Sequence, residues 1–511
     1  MAEAFKSALN VKYSLTSALI FGLFSGMRKR FEVQLELGAV PIEFVTIPTR
    51  TRDELPPTLA ALQWIFVTPE VSEQIFALLE EAILSDRPEI GCRGMDLWQI
   101  LVFGVVRMTL DVNYDRLHHI ANFDSLVRQL LGQPAFDMEL EFSLSTLKDN
   151  VPLLSEELLE KINAIIAKYG HDCIKKKDVA LEIKADSYVF ETNVHFPTDL
   201  NLAWDCARKC IVLSTRLAQL NQLDGWRKNE YWLKQIKGLA RDCAKACRGG
   251  GKNKEDRVAE TAQDYLAKLY SIEEKVKSLL HELNALEASE ELYVKMIELS
   301  DYHDLLIKHI FLISDRLIEG RTIAPGDKLY SIFEQHTEWV NKGKSRPNVE
   351  LGHRLLIATD QYGMIHDYKI MFGADEAAEV APLADRLIAK LGQENISSFS
   401  FDRGFSSIEN RELLEFTMPD TDIIMPKKGK LSAADKERQS QKSWRKLANR
   451  HSAVESNINS LEHHGLNRCP DKGYQAYAQY AGLGVLAYNL HKIGNHLLDV
   501  RRAADRAARA A

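Results

Sequence analysis

Two stretches of β-rich pattern are held apart by a long helical block, and that interruption limits the folds open to the chain more than any other feature. The first stretch is Val179-Ala-Leu-Glu-Ile183-Lys-Ala-Asp186-Ser-Tyr188-Val-Phe190, with an acidic residue in mid-strand. The helical pattern then fills about 205–325. Within it Tyr265, Leu269, Ile272, Val276, Leu279, Leu283 and Leu286 recur at spacings of four and three, a seam that predicts a helical hairpin inside the chain. Strands return at Val349–Ala358 and Met364–Phe372, which flank the turn signal Asp360-Gln-Tyr-Gly363. Residues 377–391 read as an amphipathic helix, and Ile396-Ser-Ser-Phe399-Ser-Phe401 alternates with period two up to Asp402-Arg403-Gly404. Asp422–Pro426 reads as a further strand. Ser440–Gly465 reads as one last long helix, with Leu447, Val454, Ile458 and Leu461 on one face and Gly465 as its stop.

Upstream, residues 55–170 are helical in pattern, with one apolar stripe at Leu59, Leu62, Ile65 and Phe66 and another at Val71, Ile75, Leu78, Leu79 and Ile83. The run from Gly94 to Arg107 is apolar almost all round, which predicts the central helix of a bundle. With 511 residues, 45% hydrophobic and 27% charged, the chain can bury large cores without staples. Seven cysteines without regular spacing point to a reducing, cytoplasmic compartment rather than a disulfide framework. A net charge of −7 excludes nucleic-acid binding by the overall field, so any such role rests on local patches. The apolar part of Tyr13–Gly26 is too short to span a bilayer, and no membrane role is expected. Because Met27-Arg-Lys-Arg follows at once, Met27 is read as the start and residues 1–26 as an upstream extension.

With the helical block set aside, the order from 179 onward is β-β-β-α-β-α, the element order of a ribonuclease-H-like core. The expected fold class is therefore α/β: a helical N-terminal domain plus a ribonuclease-H-like mixed-sheet core interrupted by a long helical insert. The boundaries are 27–175 for the helical domain, a surface for DNA-end binding or dimerisation, and 176–204 for the first part of the core. The insert follows at 205–345, the rest of the core at 346–495 and a basic Ala/Arg-rich tail at 496–511. In such a core the first strand is central and the fourth lies beside it, so Asp186 and Asp402 would emerge side by side, with Glu455 as the helical third member. Three convergent carboxylates raise one another's pKa, and two divalent cations would relieve this. Oxygen-only ligands suit Mg2+, with Mn2+ as the alternative. Paired metals clamp the attacking and leaving oxygens of a phosphodiester reaction.

Three blocks carry a resemblance: Asp186-Ser-Tyr-Val-Phe-Glu-Thr-Asn-Val-His-Phe-Pro-Thr-Asp199, Asp402-Arg-Gly-Phe405, and His451-Ser-Ala-Val-Glu455-Ser-Asn-Ile-Asn459-Ser-Leu-Glu-His-His-Gly465. They resemble the catalytic blocks of bacterial DDE insertion-sequence transposases, most closely the group catalogued as not yet classified (ISNCY). Met27-Arg-Lys-Arg-Phe-Glu and Gly94-Met-Asp-Leu-Trp98 resemble the N-terminal region of those enzymes. The resemblance implies that Asp186, Asp402 and Glu455 hold the metals, with water and then a DNA 3′-hydroxyl as nucleophiles. It implies a homodimer on the element's terminal inverted repeats and target DNA, and a cytoplasmic protein on the nucleoid when acting. The chain departs from the pattern at Ala448, His451 and Glu462, where relatives often carry Tyr, Arg and Lys. The same-fold alternative is a nuclease without strand transfer; the other is a catalytically inactive, domesticated DNA-binding protein.

Among the basic residues of 427–450, Lys427, Lys428, Lys430, Lys442, Arg445, Lys446 and Arg450 are expected to meet DNA, where a solvated face is the alternative. Lys344 and Arg346 form a second basic loop expected to touch the backbone. Arg403, His195 and Asn459 are expected to support the carboxylates, and Asp199 follows the first strand closely enough to face the same site. Cys206, Cys210, Cys243 and Cys247 form two i, i+4 pairs, either a zinc site or buried small residues. Trp226 and Trp232 are read as core or as a base-stacking pair, and His463-His464 as a helix end or as metal ligands.

Overall fold

The computed structural model describes residues 28–31, 38–84, 94–136, 141–176, 179–286, 289–341, 348–373, 375–427 and 429–510. Residues 1–27, Lys344, Arg346 and Lys428 lie outside them, and with them the expectations placed on the upstream extension and the second basic loop. The chain divides into two compact units, one of Met1–Phe190, Arg354–Asp471 and Gln475–Ala511, the other of Glu191–His353 with Lys472–Tyr474. Among the described residues no helix is long and apolar enough to cross a membrane.

The first unit opens with helices α1 (Leu55–Val67), α2 (Pro69–Leu84), α3 (Leu97–Thr109), α4 (Tyr114–Phe123), α5 (Ser125–Leu130), α6 (Leu144–Asn150) and α7 (Glu156–Ile174). Every residue of α3 is buried, as an all-round apolar helix requires. Strand β1 (Leu181–Thr192) follows. After the second unit's helices α8 (Asp199–Leu220), α9 (Asn229–Arg248), α10 (Lys254–Asn284) and α11 (Glu290–Leu317) come strands β2 (Glu338–Asn341), β3 (Val349–Thr359) and β4 (Ile365–Met371). Helix α12 (Val380–Leu391), strand β5 (Ile396–Phe401), helix α13 (Ile408–Thr417) and strand β6 (Asp422–Ile424) continue the first unit. Three short helices, α14 (Ala433–Ser440), α15 (Lys442–His451) and α16 (Ala453–Leu461), precede strand β7 (Arg468–Cys469) and the long α17 (Tyr474–Ala510).

The result is a mixed α/β structure with a seven-stranded sheet among the described residues, in the order β4-β3-β1-β5-β6 with β7 on β1 and β2 on the first residues of β3. β3 and β4 are antiparallel, whereas β1, β5 and β6 run parallel. The β3–β4 turn is held by Asp360, whose Oδ1 accepts the backbone N–H groups of Tyr362 at 2.8 Å and Met364 at 3.0 Å, and Gly363 takes the left-handed φ of +80° that the turn demands. Ile183, Ala185, Leu356, Phe399, Phe401, Phe405, Leu383 and Leu387 form the core under the sheet. Each large apolar side chain buried there stabilises the fold by roughly 1.5–3 kcal/mol before entropy is counted.

In the second unit the seam on α10 is buried from Tyr265 to Leu283, while Leu286, past the helix end, is exposed. Trp226 and Trp232 are buried there in a T-shaped pair with centroids 5.6 Å apart, so they are core residues. Cys206, Cys210 and Cys243 are buried free thiols, and burial pushes the Cys210 thiol up to about 12 and that of Cys243 to about 11. These are inert packing groups.

The last long helix expected from Ser440 to Gly465 is three helices. The chain turns extended at Gln441 (φ −61°, ψ 136°) and bends again at Ser452, so the apolar face is assembled from separate pieces. Gly465, at φ +82°, does end the run, and His464 is buried with its Nδ1 3.3 Å from the Thr109 carbonyl, a helix-end contact. The segment read as a basic tail continues α17 to Ala510.

Candidate functional site

β1 and β5 pair in parallel with Ala185 opposite Phe401, so the next residues, Asp186 in the middle of β1 and Asp402 just past the end of β5, stand beside each other. The alternation in β5 has a different origin from a half-solvated strand: five of its six residues are buried. Phe399 and Phe401 fill the core, and on the other face Ser400 donates to the Ile183 carbonyl at 3.3 Å and lies 3.0 Å from His451 Nδ1. Large and small side chains alternate because both faces are covered, as in a parallel sheet.

Helix α15 lies against β5 and β6, and the bend at Ser452 places Glu455 in the first turn of α16, where the helix dipole favours a carboxylate. A fourth carboxylate, Glu376, joins from the segment between β4 and α12. Ser187 Oγ donates to its Oε1 at 2.7 Å, and Arg354 Nε lies 3.7 Å from the same oxygen. Burial pushes the Asp186 carboxyl up to about 7, opposed by a backbone hydrogen bond from Ser187 and reinforced by the charges of Asp402, Glu376 and Glu455. This is a group of carboxylates that repel one another around a half-buried member. His451 sits at its edge under the influence of Asp402 and Glu455, and burial lowers its pKa, so a neutral imidazole faces the acidic group at pH 7.

Glu376 was invisible to sequence reasoning, since nothing in the spacing of Asp375-Glu376 marks a loop that folds back over β1. A signal existed in Gly404, whose conformation needs no glycine but whose Cα is pressed against Glu376: a Cβ there would lie inside the contact distance of Oε2. Gly404→Ala should therefore swing the flexible Glu376 carboxylate off Ser187 and cost ~0.5–1.5 kcal/mol in urea unfolding, the size of one lost hydrogen bond, and Glu376→Ala should make the Gly404→Ala change nearly neutral. An unchanged midpoint in Gly404→Ala would contradict the close packing.

The remaining expected residues are placed as follows. Arg403 is exposed beside Asp402, and Asn459 points to solvent. The buried asparagine of α16 is Asn457, which donates to Thr359 Oγ1 at 3.1 Å and accepts from the Tyr488 hydroxyl at 3.0 Å, on the same face as the buried Val454 and Leu461. His195 and Asp199 belong to the second unit, His195 lying 3.5 Å from Asp205 and Asp199 paired with Arg316. Lys427 is engaged inside the fold, 3.1 Å from Asp435, which also takes Arg438 at 2.5 Å and Arg411 at 3.3 Å. Arg450 pairs with Glu182. That leaves Lys430, Lys442, Arg445 and Lys446 exposed, the last three on a helix with no buried residue.

Among the described residues one group of three or more His, Cys, Asp or Glu side chains has donor atoms all within 4.8 Å of one another, and it is His171, Asp360 and His366. The carboxylates around Asp186 are spread more widely, and the cysteine pairs Cys206/Cys210 and Cys243/Cys247 form no such group. Comparison with protein-family models, with curated proteins and with solved structures finds no match to this chain.

Proposed function

We propose that this chain is a DDE-type transposase with a ribonuclease-H-like core, which cleaves DNA at the ends of an insertion sequence and joins them to a target. The observation that carries the reading is the meeting of Asp186, in the middle of β1, with Asp402, just past the end of neighbouring β5, and with Glu455 close enough to act on Asp186. The sheet adds support: an order of β4-β3-β1-β5-β6 with β5 and β6 parallel to β1 is what such a core requires. A ligand-binding crevice outside the carboxyl ends of parallel strands is the general rule for open α/β sheets.

The donor set fits a hard divalent cation. Asp186, Asp402 and Glu455 offer only oxygens, with Glu376 in reserve, and a cation would offset the burial and the lesser repulsion that now favour a proton on Asp186. Bound there, two magnesium or manganese ions would supply Lewis-acid stabilisation of the attacking and leaving oxygens. The chain's own residues then have these roles. Asp186, within β1, and Asp402, at the exit of β5, fix the position of the phosphate from adjacent strands, Glu455 closes the group from α16, and His451, neutral and hydrogen-bonded to Ser400, borders it. The exposed cations of α15, Lys442, Arg445 and Lys446, hold the phosphate backbone, with Lys430 beside them. Two element ends call for two copies of the chain.

The test uses end-labelled duplexes carrying the DNA that flanks the reading frame, incubated with the full chain in magnesium or manganese. Cleavage at a fixed position, followed by slower joined products when plasmid is added, is the expected result. Cleavage without joining would leave a nuclease; binding without cleavage in either metal would overturn the enzymatic reading and leave a DNA-binding protein. In parallel, charge reversal of Lys442, Arg445 and Lys446 should weaken binding uniformly across sequences and lower the salt slope by about one per lost phosphate contact.

A further inference from the structure

A second set of ligating side chains lies in the same unit and owes nothing to the acidic group. His171 stands in the last turn of α7, Asp360 at the end of β3 and His366 as the second residue of β4. All three are buried. Both imidazoles turn their Nε2 atoms to one carboxylate oxygen, Asp360 Oδ2, at 2.8 Å for His171 and 3.0 Å for His366. The other oxygen, Oδ1, is occupied by the backbone N–H groups of Tyr362 and Met364, which fixes the carboxylate so that Oδ2 alone faces the rings. That is the orienting support a monodentate metal ligand needs.

Both imidazoles partner the carboxylate and hold it ionised, yet His366 alone approaches along a well-directed hydrogen bond, while His171, though nearer, comes in off that direction. Two ring nitrogens and one carboxylate oxygen that converge from different directions are arranged as ligands of a common centre would be. Bonds of about 2.0–2.1 Å place two ligands at right angles roughly 2.8–3.0 Å apart and tetrahedral ones roughly 3.3–3.4 Å apart. The observed 2.8 and 3.0 Å sit at the right-angled end of that range. A cavity of about 850 Å³ is lined by both histidines, together with Lys168, Lys176 and Glu394, and gives the remaining coordination positions room for water or an anion.

We infer that His171, Asp360 and His366 form a binding site for one divalent transition-metal ion of the zinc class, open on the side of this cavity. The ligand chemistry separates it from the carboxylate group. Two imidazoles and one carboxylate favour zinc or its first-row neighbours over magnesium, whereas Asp186, Asp402 and Glu455 offer oxygens alone. A metal here would tie the end of α7 to the β3–β4 hairpin, and with it the N-terminal helices to the sheet that carries Asp186.

The full chain, stripped with chelator and dialysed, would be titrated with zinc alone, and bound metal counted by mass spectrometry. The expected result is one zinc per chain in the wild type and in Asp402→Asn, with affinity at least ~100-fold weaker in His171→Gln and in His366→Gln. Should a histidine variant fail to fold, cobalt(II) substitution of the wild type decides: visible d–d bands without a thiolate-to-cobalt charge-transfer band support the site. No retained zinc in the wild type, undiminished zinc in both histidine variants, or a thiolate band in the cobalt spectrum would each overturn it. Because the Asp402→Asn chain is expected to keep its zinc, loss of DNA cleavage and loss of this metal are separable results.

Discussion

Asp402→Asn should lower magnesium-dependent cleavage of an end duplex by ~10³-fold or more in single-turnover assays, while the urea midpoint and the DNA affinity stay near wild type. The asymmetry follows from where the residue stands. Asp402 is exposed at the exit of β5, its backbone carbonyl closing the turn to Phe405 at 3.3 Å, and an amide of the same shape preserves that turn. The core beneath it is made by Phe399, Phe401 and Phe405, which the substitution does not touch. What is lost is one negative ligand oxygen. A metal contribution of several kcal/mol to the transition state, at about 1.4 kcal/mol per decade, gives the expected size. Glu376→Gln should cost less, since Glu376 is engaged with Ser187 and lies near Arg354 as well as bordering the acidic group. Cleavage undiminished in Asp402→Asn would remove the central support of the proposed mechanism, whatever the wild type does to DNA.

What could be read from the sequence was whatever local periodicity or strand adjacency encodes. The heptad spacing from Tyr265 to Leu283 is a property of one helix, and it is buried as the spacing demands. The juxtaposition of Asp186 and Asp402 needed only one mid-strand aspartate, one strand end and a rule about which strands are neighbours. Features made by distant segments were not legible. His171, Asp360 and His366 come from a helix end and two strands, with no motif joining them. Glu376 lies in a connecting segment whose path over β1 is set by Ser187 and Gly404. The basic run misled in a different way. Charge counting cannot tell which cations a buried aspartate will claim, and Asp435 claims Lys427 and Arg438. On α16 the inward face was read correctly, since Val454 and Leu461 are buried, and Asn457, three residues after Val454 and four before Leu461, shares that face, whereas Asn459, expected to support the carboxylates, is exposed.

The acidic group also implies a cost to the fold, and Asp186→Asn should expose it. With divalent cations chelated, that variant should be inactive yet ~1–3 kcal/mol more stable than the wild type at pH 8. Burial, joined by Asp402, Glu376 and Glu455, raises the folded-state carboxyl of Asp186 to about 7 from an ordinary value of 3.8. Between those values the folded chain retains a proton that the unfolded chain has released, so the wild type loses stability as pH rises from about 4 to 7 and recovers none above it. An asparagine carries no such dependence. The two urea midpoints should therefore converge as pH falls toward 4 and differ most above 7, with the upper bound set by the full pKa difference and the working figure reduced because the group is only half-buried. Magnesium should narrow the gap by stabilising the wild type alone, since a cation between Asp186 and Asp402 removes the repulsion that the substitution removes by chemistry. A variant less stable than the wild type at pH 8, or a gap that widens toward acid, would mean that the Asp186 carboxylate serves the metal-free fold and is not held there against repulsion.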